Sequence, residues 1–203
     1  MNTNNHYSVC ALILAKGAST RLPEKNIYPL KGKPLICWPI EAAEKSKYIS
    51  EIFVSTESQK VKDAVKNHKL TIINRPIELT IERNDSAPNN NELWRWSKQE
   101  VIEHAIKHIP YDIICLLQAN SPQLQTRKID EAIEKIIPED GKIFDCISMN
   151  KKTLKTDGAI RVFKKECLQN KGLGMYLSCV LTDYIDVHTI EDIRKLEKTL
   201  CIK

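Results

Sequence analysis

Ala11 to Pro34 reads ALILAKGASTRLPEKNIYPLKGKP, and the fold is decided here. The apolar run that opens it, Val9 to Leu14, is short and branched enough to be a buried strand, and it breaks at Lys16-Gly17-Ala18-Ser19 into a loop of small residues. Successive backbone N–H groups on such a loop form a nest for an anion. From Lys16 to Lys33 five cations, Lys16, Arg21, Lys25, Lys31 and Lys33, stand against the single acid Glu24, so the loop leaving the strand carries a positive local field. A polyphosphate needs both features; a solvated basic loop is the plainer alternative. The pattern is neither a P-loop nor a dinucleotide-binding fingerprint, because Gly17 stands alone until Gly32.

Composition sets the frame around this loop. A length of 203 residues, with 42% hydrophobic and 28% charged, predicts one soluble globular domain over residues 1–203. The net charge of +5 is modest and its cations gather in one loop without interleaved aromatics, so a nucleotide fits better than a nucleic acid. Met1 to Tyr7 is polar, unlike the start of a signal peptide, and no later run reaches the length of a membrane span, which predicts a cytoplasmic protein with no membrane partner. Seven cysteines form no C-x-x-C pair and several sit inside apolar runs, as small hydrophobes in a reducing compartment do.

Along the chain strand and helix alternate, which predicts an open, mostly parallel α/β sheet in three layers with helices on both faces. Pro34 is expected to start a helix carrying Ile36, Trp38, Ile40, Ala42 and Ala43. Glu51 to Ser55 reads as a second strand, with Thr56 and Gln59 as the capping box of the next helix, and Leu70 to Ile73 as a third strand. Ile77 to Asn91 reads as a long surface loop, and Glu92 to Ile109 as a helix. His104 and His108 share one face of that helix but lack the glutamate of a zinc helix, and Trp94 and Trp96 are expected in core or interface packing. Ile113 to Leu117 is a continuous apolar strand ending in Gln118-Ala119-Asn120-Ser121-Pro122, and this tip is expected to face the same cleft as the Lys16 loop, since ligands bind outside the carboxyl ends of such strands. A helix from Lys128 to Ile137 follows, then Phe144–Met149 and Ala159–Phe163 as strands that pair, with Asp157-Gly158 as a turn.

Leu14 to Asn26 followed by Gly32-Lys33-Pro34-Leu35 resembles the signature of the acylneuraminate (CMP-sialic acid) cytidylyltransferases. The segment ending Gln118-Ala119-Asn120-Ser121-Pro122, the Thr156-Asp157-Gly158-Ala159-Ile160 block and the Asp183 to Asp192 block resemble further landmarks of the family in the same order, so the likeness spans nearly the whole chain. The resemblance implies a fold of the nucleotide-diphospho-sugar transferase (Rossmann-like) type. It also implies transfer of CMP from CTP to a sugar acid of the sialic, legionaminic or ulosonic type, with release of pyrophosphate. On this likeness Lys16, Arg21 and Lys25 engage the triphosphate; Ala15, Gly17, Ala18 and Ser19 cradle it; and Asn26 and Arg75 hold the nucleoside. Gln118, Asn120 and Ser121 would face the acceptor, and Asp186 with His188 would hold Mg²⁺, or Mn²⁺ given the imidazole. The sequence departs from the family where Lys16 replaces an arginine and His188 a second carboxylate, and where the segment from Gln118 to Asp186 is short, which bears on acceptor identity and on an expected homodimer. An NDP-sugar pyrophosphorylase and an idle nucleotide-binding module remain the alternatives.

Overall fold

A computed structural model of the chain describes residues 7–80, 99–137, 143–169 and 177–200. β1 (Val9–Leu14) is apolar throughout because both of its faces are covered. Val9, Ala11 and Ile13 point into one buried cluster, Cys10 and Leu12 into another on the opposite side of the sheet. The first cluster receives α1 (Cys37–Glu44), α2 (Gln59–Val65) and α4 (Thr126–Glu134) through Ile40, Val61, Val65, Ile129 and Ile133. The second receives α3, described over 99–106, through Ile102, Ala105 and Ile106. Each fully buried Leu or Ile side chain contributes roughly 1.5–3 kcal/mol of transfer free energy, so covering both faces stabilises the central strands most.

The main sheet adds β4 (Glu51–Thr56), β5 (Thr71–Asn74), β6 (Ile113–Gln118), β7 (Asp145–Asn150), β8 (Thr156–Lys164) and β9 (Leu177–Thr182) in the order β5-β4-β1-β6-β8-β7-β9. β5, β4, β1 and β6 run parallel, β8 runs against both β6 and β7, and β9 lies parallel to β7. The open, mostly parallel architecture expected from the alternation is therefore present. Its strand order reverses at β1, with β4 on one side and β6 on the other, and ligands of such sheets bind at that reversal.

Several local expectations are corrected. Pro34 lies in β3 (Lys33–Pro34), which pairs antiparallel with β2 (Pro29–Leu30), and α1 begins only at Cys37. Lys31 and Gly32, at φ 51° and 78°, form the positive-φ corner that a two-residue hairpin of this twist requires. Ser58, not Thr56, caps α2 by accepting the Val61 N–H; Thr56 ends β4 and accepts instead from Ser58 N. Asp157-Gly158 is not a turn but lies inside β8 beside a register shift, with Gly158 at φ 69°. The Asp157 carboxylate accepts from Ser148 Oγ and Thr182 Oγ1, tying β8 to β7 and β9, so a turn-forming dipeptide serves here as a half-buried strand tie. β7 and β8 pair as expected. α5 (Lys165–Gln169) and β9 have no counterpart in the sequence reading. Residues 92–98 of the expected long helix, with Trp94 and Trp96, and residues 81–91 of the expected loop lie outside the described residues.

α6 (Ile190–Thr199) closes the structure through a capping box: Thr189 accepts from Asp192 N, and Asp192 accepts from Thr189 N. Its Ile193 and Leu196 pack on Leu22, Leu30 and Leu35, so the last helix clamps the base of the Lys16 loop.

Candidate functional site

The loop leaves the sheet abruptly because Ala15 is still held: buried, it donates its N–H to Ser55 O at 3.0 Å. Lys16 is the first residue to face outward. Its carbonyl accepts from Asn26 Nδ2 at 2.8 Å, while Asn26 O accepts from Ile36 N at 2.8 Å, so the buried Asn26 closes the loop on itself. Asn26, expected to hold the nucleoside, is engaged through its amide nitrogen in this structural tie. Gly17 donates to Glu57 Oε1 at 2.7 Å, and a β-carbon at Gly17 would stand 2.6 Å from Ser58 Cβ. Only glycine lets the loop lie flat against the end of β4. The Gly17 N–H, expected to help cradle a phosphate, is taken by a carboxylate.

Arg75 is turned inward. It is 8% exposed and donates from Nη2 to Ser55 O at 2.7 Å, with Glu57 Oε2 at 3.8 Å from Nη1. Burial lowers its pKa from the ordinary guanidinium value, and the Glu57 charge opposes that shift. Glu57 therefore joins the loop to Arg75 at the mouths of β1 and β4. Its Oε2 is buried and has no hydrogen-bond partner among the described residues.

Above these ties opens a cleft of about 430 Å³, within the range of small-molecule sites. Lys16, Gly17, Ala18 and Ser19 line one wall; Pro23, Glu24, Asn26 and Ile27 another; Ser58, Lys60 and Val61 of the α2 end the third. Arg21 is exposed and Lys25 sits in the short 3₁₀ turn Lys25–Ile27; neither lines the cleft. Lys60, Ser58 and Glu57 were missed in the sequence because the residues after Thr56 read only as a helix cap. The signal available was position: they follow a parallel strand adjacent to β1, which puts them on the same edge of the sheet as the loop.

A second cluster forms at the ends of β6 and β9. Gln118 pairs in register with Leu14 of β1, so the two tips are neighbours in the sheet. The cleft, however, takes no lining from Gln118, Asn120 or Ser121. Asn120, 4% exposed, donates to Asp186 Oδ1 and, at 2.8 Å, to Val187 O, and Val187 N returns a bond to Asn120 O at 3.1 Å. His188 Nε2 lies 2.8 Å from Asp186 Oδ2. Ser121 is buried, and its Oγ has no hydrogen-bond partner among the described residues. The Gln118 amide lies over Gly158, where an added β-carbon would stand 3.0 Å from Nε2.

Among the described residues no group of three or more His, Cys, Asp and Glu side chains could hold a metal ion. Asp186 supplies one carboxylate, already met by nitrogen donors on both oxygens. That set is too thin for a protein-built cage, yet it suits Mg²⁺, which takes one or two carboxylates and completes its shell from substrate phosphates and water. The His188 ring nitrogen addresses Asp186 itself. It is thus placed to orient the carboxylate.

Among the described residues no cysteine lines the cleft. Burial pushes the Cys10 and Cys115 thiols well up and the Cys146 thiol up to about 12, which keeps all three protonated. His104 and His108, the pair on α3 and its end, lie with ring centroids 5.0 Å apart. Burial first, then His108, Lys107 and Arg75, lowers the His104 pKa.

A doubly covered α/β sheet whose first strand ends in a small-residue loop, with cations lining an open cleft beside it, is the arrangement in which folds of this class bind ligands at the carboxyl ends of their strands. The profile of the family described as Cytidylyltransferase matches residues 10–191, and the chain belongs to that family. It is similar to N-acylneuraminate cytidylyltransferase A of Danio rerio, at 34% identity over 128 residues, covering 63% of this chain and 27% of that protein. It is also similar to the pseudaminic acid cytidylyltransferase of Campylobacter jejuni, at 29% identity over 141 residues, 64% of this chain and 54% of that one. The chain thus spans about a quarter to a half of the length of these two relatives. Among solved structures, CMP:2-keto-3-deoxy-manno-octonic acid synthetase complexed with CTP superposes with a TM-score of 0.72 at 16% identity, covering 94% of this chain and 97% of that one. A cytidylyltransferase from Leptospira borgpetersenii superposes with a TM-score of 0.71 at 19% identity, over 95% and 86% of the two chains. At these identities the superpositions speak for the fold.

Proposed function

We propose that this chain transfers CMP from CTP to a nonulosonic sugar acid with release of pyrophosphate. The observation that carries the reading is the cleft at the end of β1, where Lys16 and the small residues Ala18 and Ser19 face a space of about 430 Å³. In such a transfer an oxygen of the acceptor attacks the α-phosphorus of the triphosphate, and the bond to the pyrophosphate oxygen breaks. The protein's work is positioning and neutralising charge. Lys16 would neutralise the phosphates as a mobile point charge, and the Ala18 and Ser19 backbone would orient them. Arg75, fixed by Ser55 and Glu57, sets the shape of the adjoining wall rather than reaching for the nucleoside with its Nη2. Gln118 and Ser121 on the neighbouring strand end would meet the acceptor. Asp186 would hold Mg²⁺, which supplies further neutralisation of the triphosphate when bound.

Pyrophosphate release measured across the four NTPs with a panel of nonulosonic acids and sugar phosphates tests this reading. CTP with a sugar acid should give turnover. Release only with sugar phosphates would make the chain a pyrophosphorylase, and binding of CTP without release against any acceptor would make it an idle nucleotide-binding module.

A further inference from the structure

The cleft holds an ion pair that the transfer chemistry does not use. Lys60, on the first turn of α2, is paired with the Glu24 carboxylate, and both residues line the cleft. Glu24 is the one carboxylate among the described residues that line it, in a cleft whose cations, Lys16 and Lys60, come from different walls. It also holds a backbone conformation that side chains with a β-carbon rarely adopt, φ 54° and ψ 31°, immediately before the 3₁₀ turn. Lys60 and Glu24 side chains remain 69% and 49% exposed, so the pair is screened by water and easily exchanged.

We propose that Glu24 and Lys60 form an exchangeable clasp on the phosphate cleft: Lys60 is a polyphosphate ligand, and Glu24 is the carboxylate that occupies it until a polyphosphate takes its place. The inference rests on the cleft being a triphosphate site. Glu24 then acts as a competitor. It repels anions and holds Lys60 away from them, so a ligand must bring enough negative charge to outbid one carboxylate. A triphosphate does this more readily than a single phosphate, which gives the cleft a preference for substrate over a nucleoside monophosphate without any contact to the base.

The consequence is a pair of substitutions with opposite signs. Removing the cation with Lys60→Ala should raise the Kd for CTP, and for inorganic tripolyphosphate, about threefold, the scale of an exposed charge pair. Removing the carboxylate with Glu24→Gln should lower both Kd values by a similar factor. Glu24→Gly, which also frees the backbone of its positive-φ constraint, should do the same. In the Glu24→Gln, Lys60→Ala double variant most of the tightening should disappear, because holding Lys60 away from the ligand is the larger of the two effects of Glu24 and needs Lys60 present. Isothermal titration on the full chain at low salt, with circular dichroism to confirm that each variant is folded, reads all of these. Unchanged affinities, shifts of the same sign, or additive effects in the double variant overturn the clasp. Tripolyphosphate separates this inference from the nucleotide reading. If the opposite signs appear with tripolyphosphate while CTP binds no better than tripolyphosphate does, the clasp stands and the nucleotide assignment falls. If the wild type binds CTP but Lys60→Ala leaves its Kd unchanged, the nucleotide assignment stands and the clasp falls.

Discussion

The ends of β1 and β4 differ in kind from the ends of β6 and β9, although Leu14 and Gln118 are neighbours in one sheet. At the first, the polar ties of Asn26, Glu57 and Arg75 lie beneath the loop, and the cleft that Lys16 helps to line lies above them. At the second, polar groups bond one another: Asn120 to Asp186 and Val187, His188 to Asp186. The contrast teaches where binding is prepared in advance. A ligand entering the first region keeps the buried ties beneath the loop and exchanges only the exposed Glu24–Lys60 pair, whereas a ligand or metal using Asp186 must share or exchange part-buried hydrogen bonds already made there, and that exchange subtracts more from its affinity.

The sharpest way to break the contrast is Lys16→Ala. If the open cleft is where charge is neutralised during transfer, kcat/KM measured by pyrophosphate release should fall by about 10² or more, while Lys16→Arg should keep or raise it. Intact turnover in the alanine variant would remove the first region from the chemistry. Next in size is Asp186→Asn, which is close to isosteric but loses the charge. Its affinity for Mg²⁺ should weaken, so that the Mg²⁺ concentration giving half-maximal activity in a metal titration rises by roughly 10–100-fold. A superimposable titration would leave the second region structural. Glu57→Gln sharpens the first region from below: the amide can still accept from Gly17, yet the charge facing Arg75 is gone. The KM for CTP should rise up to about tenfold with kcat little changed, the difference expected between a hydrogen bond to a charged acceptor and one to a neutral acceptor.

The smallest effect is a control on the helix that carries the loop's base. Asp192→Ala removes the capping box of α6 and should cost about 1 kcal/mol in a urea denaturation at pH 7. Burial pushes the Asp192 carboxyl up, but hydrogen bonds from the His188 and Thr189 backbone and the Thr189 hydroxyl outweigh it, leaving the pKa lowered. A carboxyl with a depressed folded pKa contributes stability above its unfolded value, about 3.9, and loses it as pH falls through the folded one. The gap between wild type and Asp192→Ala should therefore be constant at neutral pH and shrink below about pH 4. A gap that widened in acid would contradict the assigned cap.

How much of this was legible beforehand follows the same division. β1, its loop and the parallel alternation were readable because each is a local pattern: an apolar run, a break, a charge excess. The inward turn of Arg75, the capture of the Gly17 N–H by Glu57 and the position of Lys60 were not, because they depend on which strand lies beside β1, a fact that neither periodicity nor composition encodes. Asp157-Gly158 misled as a turn because the dipeptide preference is real but was overridden by three strands meeting at one carboxylate. β9 was missed because pairing with β7 completes it, while its own sequence, with Leu177 and Leu181 exposed, has no buried-strand signature.

The protonated, buried thiols make the chain its own stopwatch. Cys10 in β1 and Cys115 in the neighbouring β6 are fully buried on opposite faces of the sheet, whereas Cys37 begins α1 and Cys167 and Cys179 are partly exposed. An alkylating reagent acts on a thiolate it can reach, so each residue's modification rate records how often its surroundings open. Mass spectrometry of a timed labelling series would order these openings from rim to centre without any mutation. Repeating it with CTP would show which of them the nucleotide holds shut.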